Sequence, residues 1–398
     1  MSMTKGQVGL LAGFAALAPL AIDMYLPAIT PLAHDLGTSV EQAGASVSVF
    51  LFGIAGGQLV AGPLSDRFGR KPLFLAGLVL FTLSATIAAL TASFSVLLAA
   101  RLLQAFGACS AMVSGRAVVR DRLDATESAK FFSLLALVSG MAPVLAPLIG
   151  AVLIQFGNWR LIFWVMAGFA ALLVAGGAIG LPESRSAETA QKARDEHPFA
   201  AYWALLSDRA LMGYLLAAMC NSAAFFTYVA QSSVVLVAGY GFTPTQFSVI
   251  FGINSVALVG AAQINRRMLR TRNTDQLLKL SSRNSLIVAA ALLFVTLTGF
   301  GGIWALLAVL FFMVGSITPV QANTMAGGLA LANLRAGSAA ALFGASTFAG
   351  GAIASWIAGL LYDGTARGLG IVVSAGLVGM ALAVRLIVLR RASVPQAA

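Results

Sequence analysis

Charge is what this sequence has least of. Acidic and basic residues together fill 10% of its 398 positions, against about a quarter in soluble domains. A soluble fold of this length does not present so little charge, so the implied solvent is the lipid bilayer. Cysteine is nearly absent. Cys109 and Cys220 both fall in apolar runs, which argues against a disulfide framework and reads them as small buried hydrophobes. The two histidines, His34 and His197, lie in loops without clustered metal partners. No GxxxxGKS/T loop occurs, so ATP powers nothing on this chain. HExxH and GxSxG are missing too, which argues against a membrane enzyme. A channel would call for a repeated filter loop, and none is found. Acidic residues number 14 against 25 lysines and arginines, a net charge of +11. On a solvated fold that excess would suggest nucleic acid. Here the cations sit in short loops between apolar runs, a pattern of membrane orientation and not of nucleic-acid binding.

What is abundant is apolar sequence, 59% of the chain, together with 41 glycines. Spanning a bilayer takes about 20 mostly apolar residues. Runs of that kind lie near 8–30, 43–62, 73–92, 96–118, 130–154 and 160–181. Six more lie near 210–237, 246–264, 277–298, 302–325, 337–361 and 367–389. The first is read as a retained helix, because its basic flank is Lys5 alone and Pro19, Asp23 and Pro27 interrupt it. Between the two sets runs PESRSAETAQKARDEHP, 182–198, charged and rich in small polar residues, as linkers are. The expected fold is all-α, with twelve transmembrane helices in two pseudo-symmetric six-helix bundles. Residues 1–184 and 209–398 form the bundles and 185–208 a cytoplasmic linker. A weak internal echo joins the halves: GMAPVLAPLIGAVL at 140–153 is similar in texture to GGAIASWIAGLL at 350–361. Paired halves of this kind are common in transporters.

Loop charge sets an expected orientation. Nearly all cations fall on one side, from Lys5 through Arg67, Arg70 and Lys71 to Arg390 and Arg391, while Arg160 and Arg367 stand on the other. Both termini are therefore expected in the cytoplasm.

Ionisable groups inside spans are costly and mark function by default. Asp23 lies in the first span and Arg101 in the fourth. Counting from the outer ends at 1.5 Å per residue puts both roughly 8–12 Å below the outer surface. They are therefore expected to form an ion pair across a cavity, with Gln104 on the face of Arg101. The alternative for Arg101 is snorkelling to the headgroups. For Asp23 it is a structural polar group beside Pro27. Desolvation favours the neutral form of a carboxylate, which makes Asp23 the proton-coupling candidate. Arg116, near the other end of the fourth span, reads as an interfacial anchor. In the second half Asn221 and Asn254 could line a polar cavity or bond between helices. Phe225 beside them could stack on a ligand or pack in the core. Pro143 and Pro147, with Gly140 nearby, mark a kinked and closely packed fifth span.

The loop GPLSDRFGRKP, 62–72, carries four charges. Gly62 and Pro63 are expected to end the second span, and Gly69 to allow a tight reversal. Arg67, Arg70 and Lys71 serve orientation, but Asp66 needs a specific partner. The next helix's N-terminus is one candidate, and an Arg70–Asp121 cluster is another.

These motifs carry a resemblance. GPLSDRFGRKP is similar to the loop between the second and third helices of the major facilitator superfamily. RLLQAFGA at 101–108 resembles its fourth-helix motif, with Ala105 where glycine is usual, and GMAPVLAPLIGA resembles the fifth-helix motif of its drug/proton antiporters. With IDMYLPAI at 22–29, RAVVRD at 116–121 and AGSAAALFGASTFAGGAIAS at 336–355, the chain resembles the Bcr/CflA group of bacterial multidrug-efflux transporters. The resemblance implies proton-coupled export of small-molecule drugs by alternating access, in the inner membrane, by a monomer with no cofactor beyond the proton gradient. Its alternative on the same fold is a proton-coupled transporter of a metabolite such as a nucleoside or amino acid. It implies that Asp23 and Arg101 handle the proton, and that Asp23, Tyr25, Arg101, Gln104, Asn221, Phe225 and Asn254 line the substrate cavity. Gly62, Asp66, Arg67, Gly69, Arg70 and Asp121 would form a cytoplasmic gate that latches the outward-open state. Gly140, Pro143, Pro147 and Gly150 would form the antiporter helix.

Overall fold

The computed structural model of the chain describes residues 5–123, 125–186, 191, 200–332 and 336–388. All regular elements among these residues are helical. The chain divides into two compact units, Met1–Pro198 and Phe199–Ala398.

The first unit holds α1 (Lys5–Asp23), α2 (Ile29–Asp35), α3 (Val40–Phe68), α4 (Arg70–Leu90), α5 (Phe94–Arg122), α6 (Ala125–Phe156) and α7 (Trp159–Gly180). The second holds the short α8 (Ala200–Leu206), then α9 (Arg209–Ser233), α10 (Pro244–Met268), α11 (Thr274–Thr298), α12 (Gly302–Leu331), α13 (Ala336–Leu360) and α14 (Arg367–Ala383). π-Helical turns extend α9 over Val234–Gly239 and α14 over Val384–Val388. Eleven helical segments are long and apolar enough to cross a membrane, and Gly140–Phe156 within α6 is a shorter apolar run. An all-α membrane protein with six spans in each unit is what the hydropathy pattern called for.

The ends differ from expectation. α3 does not stop at Gly62–Pro63 but runs on to Phe68 with Pro63 inside it. Hydropathy reads the hydrocarbon, whereas backbone hydrogen bonding continues into the polar zone. The expected linker is also partly structured. Residues 187–190 and 192–199 lie outside the described residues, but Ala200–Leu206 is helical.

The first span is broken. α1 ends at Asp23, a turn follows, and Leu26–Ala28 is a 3-10 turn before α2. Pro27 explains the place: it has no N–H to give to the carbonyl of Asp23, its i−4 neighbour. The break rests on α6 at Gly150. A Cβ there would run into the carbonyl oxygen of Met24 and come within 3.1 Å of the Pro27 ring. A second close approach lies between α3 and α5. A Cβ on Gly53 would come within 2.5 Å of the Ala105 methyl. The alanine that departs from the fourth-helix motif is thus matched by a missing side chain opposite.

One end of the first unit is tied by a clasp. Asp35 accepts a hydrogen bond of 3.0 Å from the Trp159 indole and pairs with Arg160. Arg160 also donates to the Thr91 carbonyl at 3.1 Å and stacks over Trp159 at 4.3 Å. Three connections, after α2, after α4 and before α7, meet there.

Candidate functional site

Arg101 is fully buried on α5, so it does not snorkel. Nor does it pair with Asp23. One guanidinium nitrogen donates to Gln104 Oε1 at 2.8 Å and the other to the Ala21 carbonyl at 2.9 Å. The last carbonyls of a helix lack intrahelical partners and carry its negative pole. By ending α1 two residues after Ala21, the break frees that carbonyl, and Arg101 takes it in place of the carboxylate. The guanidinium lies 4.7 Å from the Tyr25 ring centre and 4.4 Å from that of Phe50. Tyr25 in turn shares a 2.9 Å hydrogen bond with Ser46. Arg101 Nε is buried with no hydrogen-bond partner among the described residues. Gln104 reaches the Met166 sulfur at 3.5 Å. Arg116, by contrast, is exposed.

Asp23 is buried, with 7% of its surface accessible. Among the described residues no cation lies within ion-pair distance of it. The expected ion pair is therefore replaced by two neighbouring features, a capping guanidinium and a carboxyl without a counter-cation. The depth count that paired them treated the first span as a straight rod, and the break at Asp23 invalidates that.

In the second unit Asn221 and Asn254 are buried. Asn221 Nδ2 donates to the Ile317 carbonyl at 3.1 Å, while its Oδ1 is buried without a partner among the described residues. Asn254 donates to the Tyr228 hydroxyl at 2.8 Å. Tyr228 stacks on Phe251, with ring centres 5.5 Å apart. Both amides thus bond between helices. Phe225 is half-buried and meets Phe226 edge-on at 5.2 Å. Of the α6 residues, Gly150 and Pro147 are buried and Pro143 half-buried, and Gly140 has open space where a Cβ would stand.

The charged loop forms a cluster. Arg70 is buried, pairs with Asp66 and with Asp121 at 3.1 Å, and donates to Ser65 at 3.2 Å. Asp66 therefore finds Arg70, not the helix N-terminus. That position belongs to Glu183, which the sequence reading assigned no role. Its carboxylate accepts the backbone N–H groups of Arg70 at 3.0 Å and Lys71 at 3.3 Å. Gly69 makes this possible: its φ of +112° suits glycine, and a Cβ would come within 2.6 Å of Glu183 Oε2. Arg185, expected in the linker, donates to the carbonyls of Asp66 and Arg67. The Arg67 residue is exposed, and Gly62 has open space around it. The signal for Glu183 was the acid directly after the sixth apolar run, but its partners lie more than a hundred residues away.

Burial would push the Glu183 carboxyl up, but the backbone donors of Arg185, Arg70, Ser184 and Lys71 outweigh it and hold it below the usual range. A depressed carboxyl stabilises the fold above its unfolded pKa, and that contribution is lost as pH falls through the folded one. Glu183→Gln should lower stability by about 0.5–1 kcal/mol at neutral pH, the lower part of the range for a lost cap because the group is exposed. Thermal unfolding in detergent should show wild type and variant converging below about pH 4. A gap that persists in acid would rule out the carboxylate as its source.

A family profile described as Major Facilitator Superfamily matches residues 11–355. An uncharacterized MFS-type transporter, YdgK, of Bacillus subtilis is 35% identical over 353 residues, covering 88% of each chain. A bicyclomycin resistance protein homolog of Haemophilus influenzae is 30% identical over 337 residues, covering 85% of this chain and 84% of the other. Among solved structures, a D-xylose-proton symporter superposes with a TM-score of 0.73 at 15% identity, covering 96% of this chain and 97% of its own.

Proposed function

The chain belongs to the major facilitator superfamily, and from that premise we propose that it is a proton-driven exporter of small-molecule drugs, working by alternating access in a bacterial inner membrane. The cargo class is taken from the relative named for bicyclomycin resistance. The observation that carries the proton assignment is Asp23, a carboxyl buried at a helix break with no counter-cation among the described residues. Intramembrane carboxyls of this kind serve as proton relays. In this reading Asp23 takes a proton from the periplasm and gives it to the cytoplasm. Arg101 holds the end of α1 where that exchange is felt. Tyr25, Gln104, Phe225, Asn221 and Asn254 offer aromatic and amide contacts to cargo, and the unpaired Asn221 Oδ1 is an acceptor ready for a donor group. The Asp66–Arg70–Asp121 cluster, with Glu183, latches one state of the cycle. Gly140, Pro143, Pro147 and Gly150 let α6 flex. The proton gradient is the energy source and no cofactor takes part. The chain works as a monomer with both termini in the cytoplasm.

The test uses inverted membrane vesicles from expressing cells, energised to form a proton gradient and offered a drug panel. Substrate addition should dissipate part of the gradient, and drug should accumulate until an uncoupler is added. Accumulation of a nucleoside or amino acid, with every drug inert, would overturn the cargo assignment.

A further inference from the structure

A groove of about 550 Å³ in the second unit is lined by Gln276, Lys279, Leu280 and Arg283 of α11 and by Arg385 of the π-helical turn after α14. Transport as described above uses none of them. Its two walls run antiparallel: Arg385 Nε donates to Ser282 at 3.4 Å, and Ser374 to the Ala289 carbonyl at 3.1 Å. Arg385 and Arg283 therefore stand at the same level on adjoining helices. Both lie inside segments apolar enough to span a membrane, Thr274–Thr298 and Arg367–Val388. Among the described residues no carboxylate lies within ion-pair distance of Lys279, Arg283 or Arg385. The nearby acid on α11, Asp275, accepts from the Tyr214 hydroxyl at 3.1 Å.

The apolar surface continues the groove. From Arg283 the outward face of α11 runs through Ile287 to Phe294, both exposed. From Arg385 the outward face of α14 runs back through Leu382, Val378 and Ile371, all exposed. Steps of three, four and seven residues keep each row on one helix face. Each row thus begins at a cation and proceeds as apolar surface toward the middle of the span. α11 starts at Thr274, so Arg283 is about 14 Å along it. The helix is roughly 37 Å long against a hydrocarbon core of about 30 Å, which leaves the long cationic side chains within reach of the headgroup level.

We infer that this groove binds one anionic phospholipid, its phosphate held by Lys279, Arg283 and Arg385 and its acyl chains lying along the two apolar rows. Basic pockets between spanning helices recognise anionic headgroups in this way. A free phosphate would satisfy the cations but would leave the rows unused. The inference holds whatever the cargo is.

Native mass spectrometry of the purified full chain in detergent tests it, titrating phosphatidylglycerol, phosphatidylcholine and glycerol phosphate separately. Wild type should retain phosphatidylglycerol over the other two. Arg283→Gln and Arg385→Gln should each weaken it on the order of fivefold, and about 25-fold together. Arg266→Gln with Arg267→Gln removes the same charge from the exposed end of α10 and should change little. Equal weakening by that control would overturn the site in favour of general charge. Glycerol phosphate binding as tightly as the lipid would overturn the lipid reading. If the groove variants fail to fold, a photoactivatable phosphatidylglycerol on wild type should label peptides carrying residues 279–287 and 382–386, and labelling elsewhere alone would sink the proposal.

Discussion

Arg101→Ala should abolish transport and destabilise the first unit by about 3–5 kcal/mol, the range for breaking a buried charged hydrogen-bond network. The guanidinium is fully buried, bonds the Gln104 side chain and the Ala21 carbonyl, and sits against the Tyr25 and Phe50 rings. Truncation leaves the Ala21 carbonyl dry and unbonded, which alone costs about 1–3 kcal/mol. It also opens a cavity between α1, α3 and α5 and removes a desolvated cation–π contact of about 2 kcal/mol. Arg101→Lys should rescue only part, because an ammonium lacks the planar fork that reaches an amide and a carbonyl at once. Arg116→Ala, at an exposed position on the same helix, should cost little. Thermal unfolding in detergent and efflux from energised vesicles give the two readouts. Equal tolerance at 101 and 116 would remove Arg101 from both the fold and the cycle.

Asp23→Asn should leave the protein folded and expressed while uphill transport disappears. The amide has nearly the carboxyl's shape and keeps hydrogen-bonding capacity, so the turn after α1 has no reason to collapse. What it cannot do is carry a proton. One proton moving down 100 mV supplies about 2.3 kcal/mol, equivalent to about a fiftyfold concentration gradient of cargo. The variant should equilibrate drug down its gradient and accumulate none. Uphill accumulation at the wild-type rate would refute the assignment. Run beside Arg101→Ala, the experiment separates coupling from architecture, since one variant keeps its fold and the other does not.

Those two residues also show what was legible in the sequence. Hydropathy located the spans, because twenty apolar residues have few other uses. It misplaced helix ends such as that of α3, since a backbone spiral does not stop where the hydrocarbon does. It picked out Asp23 and Arg101 correctly as intramembrane charges, but it joined them by arithmetic on straight helices. Pro27 was visible throughout. That it frees a carbonyl for Arg101 to cap is a three-dimensional consequence of α1 meeting α5. The Asp66–Arg70–Asp121 grouping came from resemblance, and its geometry is present. Glu183 escaped because a cap supplied from another helix leaves no local pattern. Asn254 and Tyr228 were both noticed, yet their mutual bond spans two helices and no spacing rule reports it.

The clasp at Asp35 and the cluster at Arg70 share a property that bears on how this sequence can drift. Much of what they hold is backbone: the carbonyls of Thr91, Asp66 and Arg67, and the N–H groups of Arg70 and Lys71. A backbone group is supplied by whatever residue stands there. Substitution is therefore lopsided across each bond. The side chains of Thr91 and Arg67 can change without loosening these ties, whereas Arg160, Arg185 and Glu183 have no freedom to follow. Both ends of the first unit thus keep their fastenings through a few fixed side chains while the loops they fasten vary.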